Sequence, residues 1–202
     1  MTRNAETNQR MRDERRERIL AEALRLFAAR GLAAVTAGEI AAATGTSKGL
    51  LYHYFRSKDE IFTSLIREAF ARMNEAARGL EALDLPPREK IALALGRLLR
   101  GLEQDERFAL HVLLIAQAGL SQAIPEEARA VLREESFAPY GVVERILRAG
   151  QEDGSIRSGD DPRDLALVFW TTVKGLALHR AAHGSDFRAP DPRILLRMFW
   201  ND

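Results

Sequence analysis

Apolar residues recur at helical spacing along most of the chain, and no segment keeps the strict alternation of a half-buried strand. In the first such segment Ile19, Ala23, Leu26 and Phe27 lie at i, i+4, i+7 and i+8, which is one face of a helix. Gly31 follows at the position where a helix end favours a left-handed residue. The pattern predicts an all-α chain whose first amphipathic helix ends at this glycine.

Short capped helices are predicted next. Thr36 is followed by Glu39 three residues later, which is the sequence pattern of a capping box. Ser47 and Ser57 stand at the starts of two further apolar-periodic segments, and Gly45 supplies a turn between the first two. These signals predict helices over 37–44, from 47 to 55, and from 57 to about 79.

The Leu85-Pro86-Pro87 segment is the clearest break inside the chain, and the segments beyond it are all predicted to be helical. The expected helices are about 87–103, 106–119, 125–150, 161–183 and 191–200. The sequence before Asp13 lacks periodicity, so the first helix is expected to begin near that residue. The chain is accordingly divided into a flexible basic arm (1–12), a helix-turn-helix head (13–58) and a helical regulatory and dimerisation body (59–202).

Composition narrows the possible classes of protein. The 202 residues are 46% hydrophobic and contain no cysteine, so a packed core is expected and disulfides and thiolate metal sites are excluded. The opening segment has no apolar stretch typical of a targeting signal, and the apolar run Leu165–Leu178 is interrupted by Lys174. A membrane span needs about 20 apolar residues. A cytoplasmic protein without membrane association is expected.

Charge is distributed unevenly along a chain of net charge +1. Residues 1–67 contain 12 Lys and Arg against 8 Asp and Glu, whereas residues 68–202 contain 18 against 21. A basic head on a mildly acidic body is typical of a phosphate-binding module attached to a regulatory domain.

Residues 36–61 predict two short helices joined by a glycine turn, the arrangement in which a second helix enters a major groove. In that second helix Leu51 and Phe55, four residues apart, are expected to face the core. The other faces carry residues that suit an anionic groove: Lys48, Gly49, Tyr52 and His53. Free N–H groups at the helix N-termini suit phosphate oxygens.

The detailed spacing resembles the head of the TetR family of regulators over about residues 15–66. The matching positions are Leu26-Phe27, Gly31, Thr36, Ile40-Ala41, Gly45, Ser47, Gly49, Leu51-Tyr52, Phe55 and Ser57-Lys58-Asp59. The resemblance implies a three-helix, homeodomain-like head joined by a connecting helix to an all-helical ligand-binding and dimerisation body. It also implies a homodimer that acts as a repressor on a palindromic operator and is released by a small-molecule effector, here unidentified.

The resemblance assigns roles to individual residues. Phosphate contacts are implied for Thr36, Ser47, Tyr52, His53 and Lys58. Approach to the bases is implied for Lys48, Gly49 and Leu50. The sequence departs from the family pattern at Leu50, which cannot hydrogen-bond a base, at Thr46, whose hydroxyl needs a partner if buried, and at Gly38, which lacks a side chain.

In the body, the resemblance implies dimerisation through the last two helices, 161–183 and 191–200. Their apolar bulk comes from Phe169, Trp170, Val173, Leu176, Leu195, Phe199 and Trp200, which could equally fill the core of the single chain. Candidate ligand-binding residues are polar or aromatic side chains in apolar helices: Phe108, His111, Gln117, Tyr140, Trp170 and Lys174. The alternative for each is a partner within the protein.

Other functions compete with this interpretation. An enzyme is not expected, because no nucleophile-elbow, P-loop or zincin pattern is present. His179 and His183 have the i, i+4 spacing of a metal-chelating pair, but the sequence has no adjacent Glu in a His-Glu-x-x-His pattern and no thiol. Neither a metal site nor a cofactor is therefore predicted. A metal-responsive repressor remains an alternative. An activator or a DNA-coating protein would use the same head.

Overall fold

The computed structural model of the chain describes residues 2–200, with side chains described for 7–184 and 186–200. Within these residues the chain forms α-helices and no strand, which confirms the all-α prediction. The helices are α1 (Thr2–Arg30), α2 (Ala37–Ala43), α3 (Lys48–Tyr54), α4 (Lys58–Glu81), α5 (Pro87–Gln104), α6 (Glu106–Leu120), α7 (Glu126–Glu135), α8 (Ala138–Glu152), α9 (Pro162–His183) and α10 (Pro192–Leu196). A short 3-10 helix, Gly184–Asp186, follows α9.

The first helix is longer than the sequence pattern predicts. It begins at Thr2, so the expectation of a start near Asp13 is wrong. Residues 2–12 of the expected arm are helical, and Met1 lies outside the described residues. Segment 2–18 has no Gly or Pro and is rich in Arg and Glu, which are good helix formers. No side chain of residues 7–18 is buried, so this part of the helix has no apolar periodicity to reveal it.

The caps predicted for the head are present. The Thr36 side chain accepts a hydrogen bond from the Glu39 backbone N–H at 3.2 Å, and the Glu39 carboxylate accepts one from the Thr36 N–H at 2.8 Å. The Ser47 and Ser57 hydroxyls accept from the backbone N–H groups of Leu50 and Glu60 and so cap α3 and α4, without the reciprocal bond of a capping box. Gly45, with φ of +65°, makes the turn between α2 and α3. The sequence therefore sets the helix-turn-helix geometry through local hydrogen bonds.

Two apolar cores lie along the chain, and α4 contributes to both. The first core joins α1 to α4 with the ends of α6 and α7, and it contains Phe27, Leu51 and Phe55. The second joins α5, α8 and α9 with parts of α4, α6 and α10. Met73 on α4 packs against both. The head is thus packed on the body rather than separated from it by a linker.

Two predicted helices of the body differ from the structure. The segment expected as one helix over 125–150 is divided into α7 and α8 at Ser136 and Phe137. Pro139 explains the break, since its ring clashes with the carbonyl four residues earlier and it has no N–H to donate. The segment expected as a helix over 191–200 is helical only in α10, after which the chain continues in turns.

Helix α6 connects the head to the body through polar contacts as well as through the core. The Gln117 side-chain amide donates to the Ala28 carbonyl at 3.1 Å. Arg25 on α1 pairs with Glu106 at 3.1 Å. Arg107 reaches back to Glu17 at 3.0 Å. The C-terminal half of α1 is therefore held against α6.

Across residues 2–200, every helix is too short or too polar to cross a bilayer.

Candidate nucleic-acid interface

Helix α3 is anchored by one face and open on the others. Leu51 and the adjoining Phe55 are fully buried, as their spacing predicts. The exposed residues are those expected to meet DNA: Lys48, Gly49, Tyr52 and His53. Leu50 is half-buried, and Tyr52 is 45% exposed despite its aromatic ring. The arrangement gives an ammonium, a phenol and an imidazole on one rigid two-turn helix.

The two capping hydroxyls differ in what they can offer a phosphate. Thr36 Oγ1 lies 2.8 Å from a Glu39 carboxylate oxygen and donates its proton there, in addition to capping α2. Its hydroxyl therefore cannot donate to a phosphate while this contact persists. Ser47 Oγ accepts from the Leu50 N–H at 3.2 Å, and this cap does not use the Ser47 proton. Each cap uses one backbone N–H group at its helix start, that of Glu39 in α2 and that of Leu50 in α3; the N–H groups before it have no partner within the helix.

Lys58 makes a structural contact in addition to any contact with DNA. Its Nζ donates to the carbonyl oxygens of Leu32 and Val35, each at 2.9 Å, across the α1–α2 loop. The side chain is half-buried, and two of its three N–H groups are used in this way. Lys58 thus fixes the start of α4 to the loop that precedes α2.

The N-terminal half of α1 lies beside α3, which the sequence analysis did not foresee. An Arg12 guanidinium nitrogen lies 3.0 Å from His53 Nε2, and both side chains are exposed. One turn later, the Arg16 guanidinium lies 5.0 Å from the centre of the Phe55 ring. These contacts join residues about 40 positions apart, so no local pattern signals them.

The hydroxyl of Thr46 finds a partner. Thr46 Oγ1 lies 2.9 Å from Thr44 Oγ1, and the buried Thr44 hydroxyl also reaches the Ile40 and Ala41 carbonyls at 3.0 Å. The two threonines therefore satisfy each other inside the α2–α3 turn. Gly38 is exposed on α2 and presents backbone only.

The carboxylate of Glu39, in the first turn of α2, is held ionised by its neighbours. The Arg30 guanidinium at 2.7 Å, with further hydrogen bonds from Thr36, lowers the pKa of Glu39 to about 2. The carboxylate is thereby engaged within the head rather than facing a phosphate.

Three of the six candidate ligand-binding residues come together between α8 and α9. Lys174 Nζ lies 2.9 Å from the Tyr140 hydroxyl and 5.2 Å from the centre of its ring. The Tyr140 and Trp170 rings lie 5.8 Å apart, and Trp170 Nε1 donates to the Pro139 carbonyl at 3.3 Å. This Tyr140–Trp170–Lys174 cluster combines a half-buried ammonium with two aromatic rings.

The other three candidates lie on α6 and are not part of that cluster. Phe108 packs so close to Gly101 that a Cβ there would lie 2.8 Å from the ring. Gln117 bonds to α1, as described above, and its Oε1 is buried without a partner. His111 is buried, with Nδ1 donating to the Arg107 carbonyl at 2.9 Å.

His111 on α6 and Asn74 on α4 each have a buried polar atom without a hydrogen-bond partner. Burial lowers the pKa of His111 to about 4, so the ring is neutral at pH 7 and its Nε2 has no hydrogen-bond partner. Asn74 is 5% exposed and donates to Glu135 at 2.6 Å, but its Oδ1 is also unpaired. Sequence reasoning missed Asn74, although a polar residue on the apolar face of α4 is the signal that identifies it.

Open cavities lie elsewhere. A groove of about 400 Å³ lies between α6, α9 and the 3-10 helix, with Leu110, Leu113 and Phe187 among its apolar residues and Glu103 and Arg180 among its charged ones. A second, of about 180 Å³, lies between α1 and α6 and includes Gln117. None of the other five candidate ligand residues lines either space.

The two histidines of α9 stack on each other. The His179 and His183 ring centres lie 4.0 Å apart, and His183 Nδ1 donates to the His179 carbonyl at 2.9 Å. Within the described residues no third metal-binding side chain joins them.

The residues expected to provide dimer contacts lie mostly in the core of the single chain. Phe169, Trp170, Val173 and Phe199 are all buried there, and α10 packs against α5. A different face of α9 is exposed and apolar, with Leu167 51% and Leu178 44% exposed; Val168, Thr171 and Gly175 lie between them. The helix therefore has a buried side and an uncovered apolar side.

A helix-turn-helix head with an exposed cationic second helix, packed on an all-helical body, defines a DNA-binding regulator. The profile of the family "Bacterial regulatory proteins, tetR family" matches residues 19–65. The chain is 42% identical over 171 residues to the repressor AcnR of Corynebacterium efficiens, an alignment that covers 84% of this chain and 83% of that protein. The chain belongs to the TetR family and is a helix-turn-helix transcriptional regulator.

Solved structures support the same fold. The MbdR regulator of Azoarcus sp. CIB superposes with a TM-score of 0.74 at 26% identity, covering 90% of this chain and 94% of that one. AibR, solved with isovaleryl coenzyme A and operator DNA, superposes with a TM-score of 0.76 at 21% identity, covering 92% and 98%. The alignments with four further curated relatives span 38% to 67% of those proteins' lengths.

Proposed function

We propose that the protein is a repressor that binds a palindromic operator as a homodimer, with α3 in the major groove, and leaves the DNA when a small molecule binds the body. The proposal rests on the fact that α3 has one buried face and one exposed polar face. Leu51 and Phe55 lock the helix to the core, while Lys48, Tyr52 and His53 remain exposed beside it. Repression is favoured because the AcnR relative is a repressor.

The residues of the interface take different roles in this proposal. Lys48 and Gly49 approach the base edges, with Leu50 suited to a thymine methyl group. Tyr52, His53 and Ser47 hold phosphates through their donors. Thr36 and Lys58 act through the free N–H groups of the helix starts and the remaining Lys58 N–H, because their other polar atoms are used inside the head.

The experiment is selection of genomic fragments by the purified protein, followed by a salt titration on the best fragment. A palindrome with half-sites about one helical turn apart, and an affinity that falls steeply with salt, are expected. Lys48→Ala should weaken binding by about 1–3 kcal/mol and relax the preferred sequence. Arg133→Ala removes the same charge from the exposed surface of α7, in the body rather than on α3, and serves as the control. Recovery of only non-specific DNA, or equal effects of the two variants, would contradict the proposal.

Dimerisation is proposed through the uncovered face of α9. Leu167, Val168, Thr171, Gly175 and Leu178 repeat at helical spacing along it. Apolar and small side chains let two such helices pack closely, and α8 lies alongside α9 in the same chain. Within 191–200, which the resemblance implied as the second dimer element, α10 packs on α5 of the same chain.

For the effector, the Tyr140–Trp170–Lys174 cluster is the proposed recognition site. The described hydrogen bond of Lys174 goes to a neutral phenol, so an anionic group on a ligand would gain a charge-assisted contact. The two rings suit an apolar or planar portion of the same molecule. A small organic carboxylate is therefore the proposed class of effector.

The effector proposal is tested by DNA release in a panel of carboxylates and their neutral amides. Carboxylates are expected to release the operator and the amides are not. Lys174→Met should abolish the response while leaving DNA affinity unchanged, because α9 lies outside the head. Equal release by the amides, or an unchanged response of the variant, would contradict it.

A further inference from the structure

The N-terminal turns of α1 form an exposed, charged helix that the packing of the head does not require. Among its described side chains, those of residues 7–15 are all exposed and the first buried one is Ile19. At 1.5 Å per residue, residues 2–11 extend roughly 15 Å beyond Arg12. A helix without an apolar face has little stabilisation from the protein core, so a partner outside the protein would account for it.

The placement of this helix is fixed by its contact with α3. His53 is one of the exposed residues of the recognition helix, and Arg12 lies against it at 3.0 Å. Arg16, on the same face of α1, lies over the Phe55 ring that anchors α3. The N-terminal part of α1 therefore lies beside the exposed face of α3 that carries His53.

The chemistry of the Arg12–His53 pair suits a phosphate backbone. An arginine can only donate, so His53 Nε2 accepts and the imidazole proton is on Nδ1. This leaves Nδ1–H as a donor on His53. The contact uses one of the five N–H groups of Arg12, and a guanidinium matches a phosphate in bidentate geometry.

We propose that the N-terminal turns of α1 are a second DNA-binding element, in which Arg12 contacts a backbone phosphate next to the half-site occupied by α3. The inference rests on the proposed function, since it places α3 on DNA. Because base pairs are spaced 3.4 Å apart along each strand, the 15 Å extension runs beside roughly four base pairs. This element would increase the affinity for DNA and lengthen the stretch of duplex that each protomer contacts, without a second DNA-binding domain.

Arg10 provides a matched control on the same helix. It carries the same charge but lies about half a turn away from Arg12, paired with Glu14 at 3.4 Å and 76% exposed. Replacing either residue by Ala removes one charge from the same exposed helix and retains a strong helix former. Differences between the two variants therefore report position rather than net charge.

The experiment measures the affinity of the full chain for the duplex recovered by genomic selection, at several salt concentrations. In a dimer, Arg12→Ala should reduce the slope of log K against log salt by about 1.8, twice the 0.9 expected per phosphate. Arg10→Ala should leave the slope nearly unchanged. Equal changes in the two slopes would overturn the inference.

A hydroxyl-radical footprint gives a second readout. A variant that lacks residues 2–11 should lose protection over roughly four base pairs beside each half-site. Protection at the half-sites themselves should remain. An unchanged footprint would overturn the inference.

A double variant distinguishes a direct DNA contact of Arg12 from an effect that acts through His53. If Arg12 contacts DNA directly, Arg12→Ala should still reduce the salt slope in a His53→Ala background. No further reduction there would mean that Arg12 acts only by positioning the imidazole, which overturns the direct contact. If Lys48→Ala and Tyr52→Ala also left DNA binding unchanged, the proposed function itself would be wrong. If those two variants bound DNA more weakly but Arg12→Ala had no effect, only the proposed DNA contact of α1 would be rejected.

Discussion

Lys58 Nζ, in the first turn of α4, lies 2.9 Å from the carbonyl oxygen of Leu32 in the α1–α2 loop. With a second bond to Val35, the ammonium supports the loop that precedes α2. Lys58→Ala should lower the free energy of unfolding by about 1–3 kcal/mol, because two carbonyls lose a charged donor. Urea unfolding followed by circular dichroism measures this. Lys48→Ala, which removes an exposed lysine, should leave stability within 0.5 kcal/mol or so; equal losses in the two variants would contradict the role given to Lys58.

Burial of His111 predicts a pH dependence of stability. The pKa of the ring is about 4 in the folded chain and near 6.5 when exposed, so the unfolded state binds more protons between these values. The contribution of His111 to the free energy of unfolding is therefore highest above pH 6.5. It decreases, by a total on the order of 3 kcal/mol, as the pH falls toward 4.

His111→Leu should remove this contribution. Urea unfolding of both proteins from pH 7 to pH 4 provides the measurement, with the difference between the two profiles reporting His111 alone. Parallel profiles would show that the imidazole is not buried as a neutral group. Leucine also avoids the unpaired Nε2, so the variant should be at least as stable at pH 4.

The uncovered face of α9 predicts a disruptible dimer. Leu167→Glu places a carboxylate in the proposed interface, where burying it without a partner is costly. Sedimentation velocity at micromolar concentration should show a dimer for the parent chain and a monomer for this variant. Ile194→Glu, at another exposed apolar position, 60% exposed, is the control and should remain dimeric. A dimeric Leu167→Glu protein would place the interface elsewhere.

Gly150 is required by close packing rather than by its backbone angles. A Cβ added there would lie 2.5 Å from Ile156 Cδ1 and 2.6 Å from its Cγ1, and both residues are buried. Gly150→Ala should therefore destabilise the chain by about 1–3 kcal/mol.

Gly79, near the end of α4, has no atom within 4 Å of such a Cβ and offers the comparison. Gly79→Ala should stabilise the chain by about 0.5–1 kcal/mol through the lower flexibility of the unfolded state. Thermal unfolding of both variants distinguishes the two cases, and a stabilising Gly150→Ala would show that Ile156 can move aside.

Local features of the fold could be predicted from the sequence because they depend on neighbouring residues. The Thr36–Glu39 box and the serine caps are formed within four residues, and each is present. The start of α1 could not be predicted from periodicity, because residues 7–15 are exposed on every side. The break before α8 could have been predicted, because Pro139 lies inside the segment expected to be one helix.

For the candidate site, the sequence could predict which face of α3 is exposed. Which residues of α3 are exposed follows from the positions of Leu51 and Phe55. The contacts of Lys58 and Arg12 join positions 23 to 41 residues apart, and only the packing of the helices brings them together. The same reason explains why Tyr140 and Lys174 meet while His111 lies elsewhere.

The contacts of α6 with α1 limit how this regulator can be recombined with others. Ala28 and Arg25 depend on Gln117 and Glu106, which are about 80 to 90 residues further along the chain. A hybrid made by exchanging only the first 57 residues would keep its DNA-reading helix but lose these matching partners. Engineers who graft a new sensor onto this head would therefore need to transplant the facing surface of α6 with it, or to restore those pairs by compensating substitutions.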